Sequence, residues 1–206
     1  MKVVAINGSP RLEGNTYHGI MTMVKELERE GISCEVLQLG NAAINGCTVC
    51  GGCRNSESPV CVLKGDILPE YVEKMAEADG IILGSPVYYG AIAGNMKSFL
   101  DRAFYASASR FRHKVGYAVT AVRRAGGLNA FQQLSSYFTL AEMITAPSTY
   151  WGIGFGGAPG QVEQDTEGQD TYILAAQNMA WLLKIMETSD VESPPPMAKR
   201  GMNFIR

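Results

Sequence analysis

The sequence predicts an α/β fold in which a five-stranded parallel sheet, in spatial order 2-1-3-4-5, is covered by helices on both faces. Three observations lead there. Short apolar runs alternate with stretches that carry apolar residues at helical spacing, and alternating βα units form a parallel sheet with helices on both sides. The run from Val115 to Val122 is apolar almost throughout, as a central strand covered on both faces requires. Polar, glycine-containing loops follow the first and third strands. In this order those strands are neighbours at the point where the order reverses, which is where such sheets bind ligands.

The first strand is expected over 2–6. The first helix spans about 16–30, with Ile20, Met23, Val24 and Leu27 on one face and Gly31 as its stop. A second strand is read at 33–39 and a second helix at about 66–78, where Leu68, Tyr71, Val72 and Met75 share a face. The third strand is read at 80–83 and its helix at 93–103, the fourth at 115–122 with a helix at 128–140, and the fifth at 149–153 with a last helix at 170–187. Residues 1–188 thus form one domain with a cysteine-rich insertion at about 44–64. After Thr188 the proline-rich run Glu192–Arg200 cannot continue a helix, so 189–206 reads as an extended tail. Phe204 and Ile205 are apolar for a chain end; the tail is either disordered or an arm packed on its own sheet or on a second subunit.

Composition sets bounds on function. A chain of 206 residues buries roughly 70% of its unfolded surface. Its net charge of −2 leaves no electrostatic footprint for nucleic acid or an anionic membrane. No apolar run approaches the ~20 residues that span a bilayer, and no leader pattern precedes the first strand. A cytoplasmic location is expected, where five cysteines suit metal binding or catalysis better than disulfides.

The first loop reads Gly8-Ser9-Pro10-Arg11-Leu12-Glu13-Gly14-Asn15-Thr16. A strand feeding a helix through such a loop aims free N–H groups and the positive end of a helix dipole at one point, which favours an anion. Ser9, Asn15 and Thr16 add donors and Arg11 a charge. The ordinary alternative is a βα turn with Asn15 or Thr16 as N-cap. The loop has neither the Gly-Lys-Ser/Thr of a P-loop nor Gly-x-Gly-x-x-Gly, and a hydroxyl-rich loop suits a terminal phosphomonoester. After the third strand comes Gly84-Ser85-Pro86-Val87-Tyr88-Tyr89-Gly90, in which Pro86 stiffens the turn, Gly90 admits a close approach and the tyrosines offer aromatic faces.

Both loops resemble those of the flavodoxin-like, NAD(P)H-dependent FMN reductases. The first matches Gly-Ser-x-Arg-x-x-x-Asn-Thr/Ser. The second matches Gly-Ser-Pro-Val-Tyr-x-Gly followed by Lys-x-Phe-x-Asp-Arg, here Lys97, Phe99, Asp101 and Arg102. The resemblance covers about residues 1–187 and implies a flavodoxin-like three-layer sandwich. It implies an FMN phosphate at Ser9, Arg11, Gly14, Asn15 and Thr16, and a flavin ring lined by Pro86, Val87, Tyr88, Tyr89 and Gly90. A third loop, Val122-Arg123-Arg124-Ala125-Gly126-Gly127, leaves the fourth strand at the same edge, and the equivalent family loop contacts the ring, which makes Arg123, Gly126 and Gly127 candidates.

Cys47, Cys50, Cys53 and Cys61 are spaced C-x2-C-x2-C-x7-C, while Cys34 stands apart on the second strand as a buried, hydrophobe-like thiol. Ferredoxins use C-x2-C-x2-C to hold three irons of a 4Fe–4S cluster, and Gly46, Gly51 and Gly52 allow a chain to wrap one. Zinc, a redox-active C-x-x-C pair, or no metal at all are the alternatives. The motif is similar to that of the iron-sulfur flavoproteins within the same family, which implies Cys47, Cys50, Cys53 and Cys61 as ligands.

Other signals are weaker. Gly152-Ile153-Gly154-Phe155-Gly156-Gly157 lacks the following helix of a dinucleotide loop and reads as a flexible loop. His18 and His113 read as surface or helix-end residues. No Ser-His-Asp or Cys-His constellation is present, so the chemistry is expected to reside on FMN. The resulting expectation is an FMN-dependent oxidoreductase, a homodimer or homotetramer, passing electrons from ferredoxin or NAD(P)H through FMN and a 4Fe–4S cluster. The alternatives are a cluster-free NAD(P)H-dependent FMN or quinone reductase, or a flavodoxin-like carrier without a small-molecule substrate.

Overall fold

The structure, a computed structural model, describes residues 1–55, 59–198 and 200. Five strands form the body of the sheet: β1 (Lys2–Asn7), β2 (Ser33–Gln38), β3 (Gly80–Tyr88), β5 (Val115–Val122) and β6 (Ile144–Thr145). Two short strands, β4 (Ala91–Ile92) and β7 (Ile153–Phe155), complete it. The order is β2-β1-β3-β5-β6, with β4 antiparallel on β3 and β7 parallel on β5. The helices are α1 (Asn15–Arg29), α2 (Leu68–Glu77), α3 (Gly94–Ser107), α4 (Gly127–Leu140) and α5 (Thr166–Thr188).

Strand alternation builds two cores. On β1, Val4 and Ile6 face the layer of α2, α3 and α4, where they join Val72, Phe99 and Leu134. Val3 and Ala5 face α1 and α5 and join Ile20, Met23, Tyr172 and Met179. Each apolar face is buried by the helix layer next to it, as a doubly wound sheet requires.

The fifth strand differs from expectation. Instead of one strand at 149–153 there are two pieces on the same edge: β6 pairs the start of β5, Val115 with Ile144, and β7 pairs its end, Thr120 with Ile153. Pro147, which has no N–H for a ladder, lies in the detour between them, and the ladder resumes where Gly152 O accepts both the N–H and the hydroxyl of Thr120. A Cβ on Gly152 would lie 2.2 Å from Ala118 O, so only glycine lets the chain return this close. The sheet thus has seven strands rather than five; with β4 set aside and β6 and β7 counted as one interrupted strand, the order is the expected 2-1-3-4-5. The third strand is also longer than expected. It continues through Ser85 and Pro86, which pair with Thr120 and Ala121.

The cysteine-bearing segment between β2 and α2 contains one turn of 3-10 helix, Gly52–Asn55. Residues 189–198 have no regular structure, and Pro194 O accepts from Arg112 Nη2 at 2.6 Å. Phe204 and Ile205, read as an apolar arm, lie outside the described residues. Among the described residues no helix is long and apolar enough to cross a membrane.

Candidate functional site

The carboxyl ends of β1, β3 and β5 surround a cavity of about 150 Å³. Its floor is the loop between β1 and α1, contributing Ser9, Arg11, Gly14, Asn15 and Thr16. One wall is Pro86, Val87 and Tyr88, and another is Ala121 and Arg123. Gly156 and Gly157, just beyond β7, close it.

Side chains outside the motif shape the floor. Asn7, fully buried, accepts from Ser9 N–H at 3.1 Å and donates to Gln38 Oε1 at 2.5 Å; Gln38 Nε2 donates to Ser9 O at 2.5 Å. Sequence reasoning missed both residues. An asparagine ending a strand before Gly-Ser is the available signal, because Asn side chains bond backbone two residues on. Two glycines allow close packing. A Cβ on Gly8 would lie 2.9 Å from Gly84 O, and one on Gly84 would lie 2.5 Å from Ile20 and 3.0 Å from Thr16. The start of α1 therefore sits directly on β3.

The chemistry of this floor is that of an anion site. Among the described residues no side chain caps the N-terminus of α1, whose N-cap is Gly14. Thr16 is 1% exposed, and its Oγ1 is buried with no partner among those residues. A buried unpaired hydroxyl costs about 1–3 kcal/mol, and a ligand oxygen would satisfy it. Arg11 and Arg123 lie exposed at the rim. The residues present therefore fit the phosphate of FMN.

The candidates for the flavin ring divide. Pro86, Val87, Tyr88 and Arg123 line the same cavity as the β1–α1 loop. Tyr89, at φ +50°, projects fully into solvent at the tip of the β3–β4 hairpin, and Gly90 follows at φ +76°. Gly126 and Gly127 line a neighbouring cavity of about 280 Å³ together with Tyr150, Trp151 and Phe155. The two loops meet: a Cβ on Gly126 would lie 2.7 Å from Gly90 Cα. The glycine-rich segment read as a flexible loop is tied down. Gly156 N–H donates to Val122 O at 3.0 Å, and Gln161 Oε1 accepts from Gly157 and Ala158. His18 contacts Glu163 at 2.8 Å, outside the cavity lining.

Cys47, Cys50, Cys53 and Cys61 line one cavity of about 20 Å³, and all are free thiols, as is Cys34. Cys47 and Cys50 are exposed. Gly51 (φ +73°) turns the chain between them and Cys53, and a Cβ on Gly52 would collide with Val62 at 2.5 Å, so the two arms of the loop touch. A hydrogen bond from Gly52 N–H, with help from the Thr48 hydroxyl, holds the Cys50 thiol below its ordinary pKa. As a donor set, four thiols around one cavity fit an iron–sulfur cluster. As folded, no three His, Cys, Asp or Glu groups among the described residues converge to hold a metal ion.

The sheet order and the two helix layers define a flavodoxin-like fold. The profile of the NADPH-dependent FMN reductase family matches residues 1–158. An iron-sulfur flavoprotein of Methanocaldococcus jannaschii is 35% identical over 195 residues, spanning 91% of this chain and all of that relative. Two solved structures share the fold. RosB, with bound 8-demethyl-8-formylriboflavin-5'-phosphate, has TM-score 0.69 at 17% identity over 100% of this chain and 97% of its own. An archaeal flavodoxin has TM-score 0.60 at 17% identity over 89% and 99%. The chain belongs to the NADPH-dependent FMN reductase family, in its iron-sulfur flavoprotein branch, and is an FMN-dependent oxidoreductase.

Proposed function

We propose that FMN seats its phosphate on Ser9, Arg11, Gly14, Asn15 and Thr16, with its ring toward Pro86–Gly90 and the loop bearing Arg123, Gly126 and Gly127. The observation that carries this reading is the buried Thr16 hydroxyl, without a partner among the described residues, at the start of α1. FMN supplies two-electron and one-electron chemistry in one group. The protein's part is to bind and orient it: backbone N–H groups and Thr16 take the phosphate, and Arg11 and Arg123 balance its charge.

In the same reading Cys47, Cys50, Cys53 and Cys61 hold a 4Fe–4S cluster, as the name of the Methanocaldococcus relative suggests. A cluster takes one electron at a time, so the pair suits exchange between NAD(P)H or ferredoxin and an acceptor. The protein works in the reducing cytoplasm as a homodimer or homotetramer, and a monomeric mass by light scattering of the FMN-bound form would reject the oligomer. A second reading, a cluster-free NAD(P)H-dependent reductase, rests on the small cavity and on the lack of a converged metal-binding group among the described residues.

Thr16→Val tests the phosphate seat. It removes an unpaired buried hydroxyl at constant shape, so the flavin-free protein becomes no less stable, while FMN affinity falls by about 1–2 kcal/mol. Unchanged affinity in a flavin titration would place the phosphate elsewhere.

A further inference from the structure

One buried guanidinium anchors both ends of the cysteine loop. Arg102, on α3, is 1% exposed. Nη1 donates to Asn45 O at 3.2 Å and to Asp66 Oδ2. Nη2 donates to Leu63 O at 3.1 Å and reaches Asp66 Oδ1 at 3.5 Å. Nε donates to Cys61 Sγ at 3.3 Å. All five N–H groups of the guanidinium are engaged. Asn45 lies just before the first cysteine, Leu63 just after the last, and Asp66 at the entry to α2. One side chain therefore fastens both ends of the loop to α3.

Asp66, whose side chain is 3% exposed, balances the charge, and the two carbonyls take two more donors. The remaining donor meets a sulfur. A thiol is a weak acceptor, whereas a metal-bound thiolate accepts a charge-assisted hydrogen bond well. N–H···S bonds draw charge from the sulfurs of a cluster and favour its reduced form, which raises its potential.

We propose that Arg102 is a positioning residue of the cysteine centre: its Nε–H presets Cys61 as a ligand and tunes the cluster toward easier reduction. The proposal rests on the reading of the four cysteines as cluster ligands. It assigns the Arg of the Lys-x-Phe-x-Asp-Arg run a part in the redox centre, in the C-terminal half of α3.

The test uses full-length protein reconstituted anaerobically with FMN, iron and sulfide. Arg102→Lys keeps the charge and loses the sulfur contact. Arg102→Met with Asp66→Asn removes the ion pair together, so no charge is left buried alone. FMN content and thermal midpoint report the fold. The expected result is FMN at wild-type stoichiometry, faster iron loss to a chelator, and a cluster reduced about tenfold less favourably, which is about 59 mV for one electron. Wild-type potential and chelator resistance in both variants would overturn the proposal. A measurement without variants stands beside it: pulsed EPR of the reduced wild-type cluster in protein carrying 15N-arginine. A hyperfine coupling from an arginine nitrogen is expected, and its absence overturns the proposal even if both variants fail to fold. Wild-type protein that takes up FMN but no iron overturns the cluster reading itself and this inference with it, whereas loaded wild-type protein with neither coupling nor variant shifts overturns the inference alone.

Discussion

Asn15 Oδ1 accepts the Val162 N–H at 3.2 Å, tying the first turn of α1 to the 3-10 turn beyond β7. A Cβ on Gly156 would sit 2.8 Å from Asn15 Nδ2, so the two segments are in close contact. One residue at the start of α1 thus holds the segment that closes the cavity.

Two substitutions at Asn15 separate these roles. Asn15→Ala frees the Val162 N–H and lowers stability by about 1 kcal/mol. Asn15→Asp keeps an acceptor for Val162 and most of the stability, but sets a negative charge against the phosphate and weakens FMN binding more than alanine does. Thermal unfolding and flavin titration on both variants check this. Equal FMN loss in the two would mean that Asn15 acts only as a tie.

The contact between Gly126 and Gly90 makes a second prediction. Gly90 has φ +76° but open space around a Cβ, so Gly90→Ala costs only the left-handed backbone penalty, about 1–2 kcal/mol. Gly126 has φ +89° and no such space, so Gly126→Ala also pushes the hairpin aside and costs about 2–4 kcal/mol. Thermal unfolding of the flavin-free proteins gives the order directly, and a milder effect at Gly126 would contradict the loop contact.

Cys34 carries a pH signature. Burial, with the Glu28 charge adding, pushes its thiol up to about 11. At pH 8 it therefore holds roughly a hundredfold less thiolate than an ordinary cysteine, and alkylation mapped by mass spectrometry should find it correspondingly slow. A thiol whose pKa is raised on folding contributes stability in full below the unfolded value near 9, and that contribution is lost as pH rises through about 11. Cys34→Val should flatten this alkaline decline and leave FMN binding intact. Cys34 is half-buried rather than buried as the sequence suggested, and fast labelling of it in the folded protein would contradict the raised pKa.

Much of this was legible in the chain. The almost entirely apolar run over Val115–Val122 marks β5 because a strand covered on both faces has no solvent side to encode. The β1–α1 loop stands out because hydroxyls, an Arg and glycines crowd a short stretch between strand and helix, and the fold places that stretch on the cavity floor. The split of the fifth strand was not, since it depends on where Gly152 meets Thr120, a contact made across the sheet. Nor were the Asn7–Gln38 bond and the Arg102 anchor, which join residues distant in sequence. The glycines at 156 and 157 read as flexible because local sequence does not reveal their partners, Val122 O for the Gly156 N–H and the Gln161 side chain for the Gly157 N–H.

The most direct test of the central claim is composition after strictly anaerobic isolation and reconstitution: FMN, iron and acid-labile sulfide per subunit. The account predicts one FMN with about four iron and four sulfide, with iron lost in Cys61→Ala and kept in Cys34→Ala. Full FMN with iron and sulfide near zero would contradict it and leave a cluster-free reductase whose cysteines are only thiols.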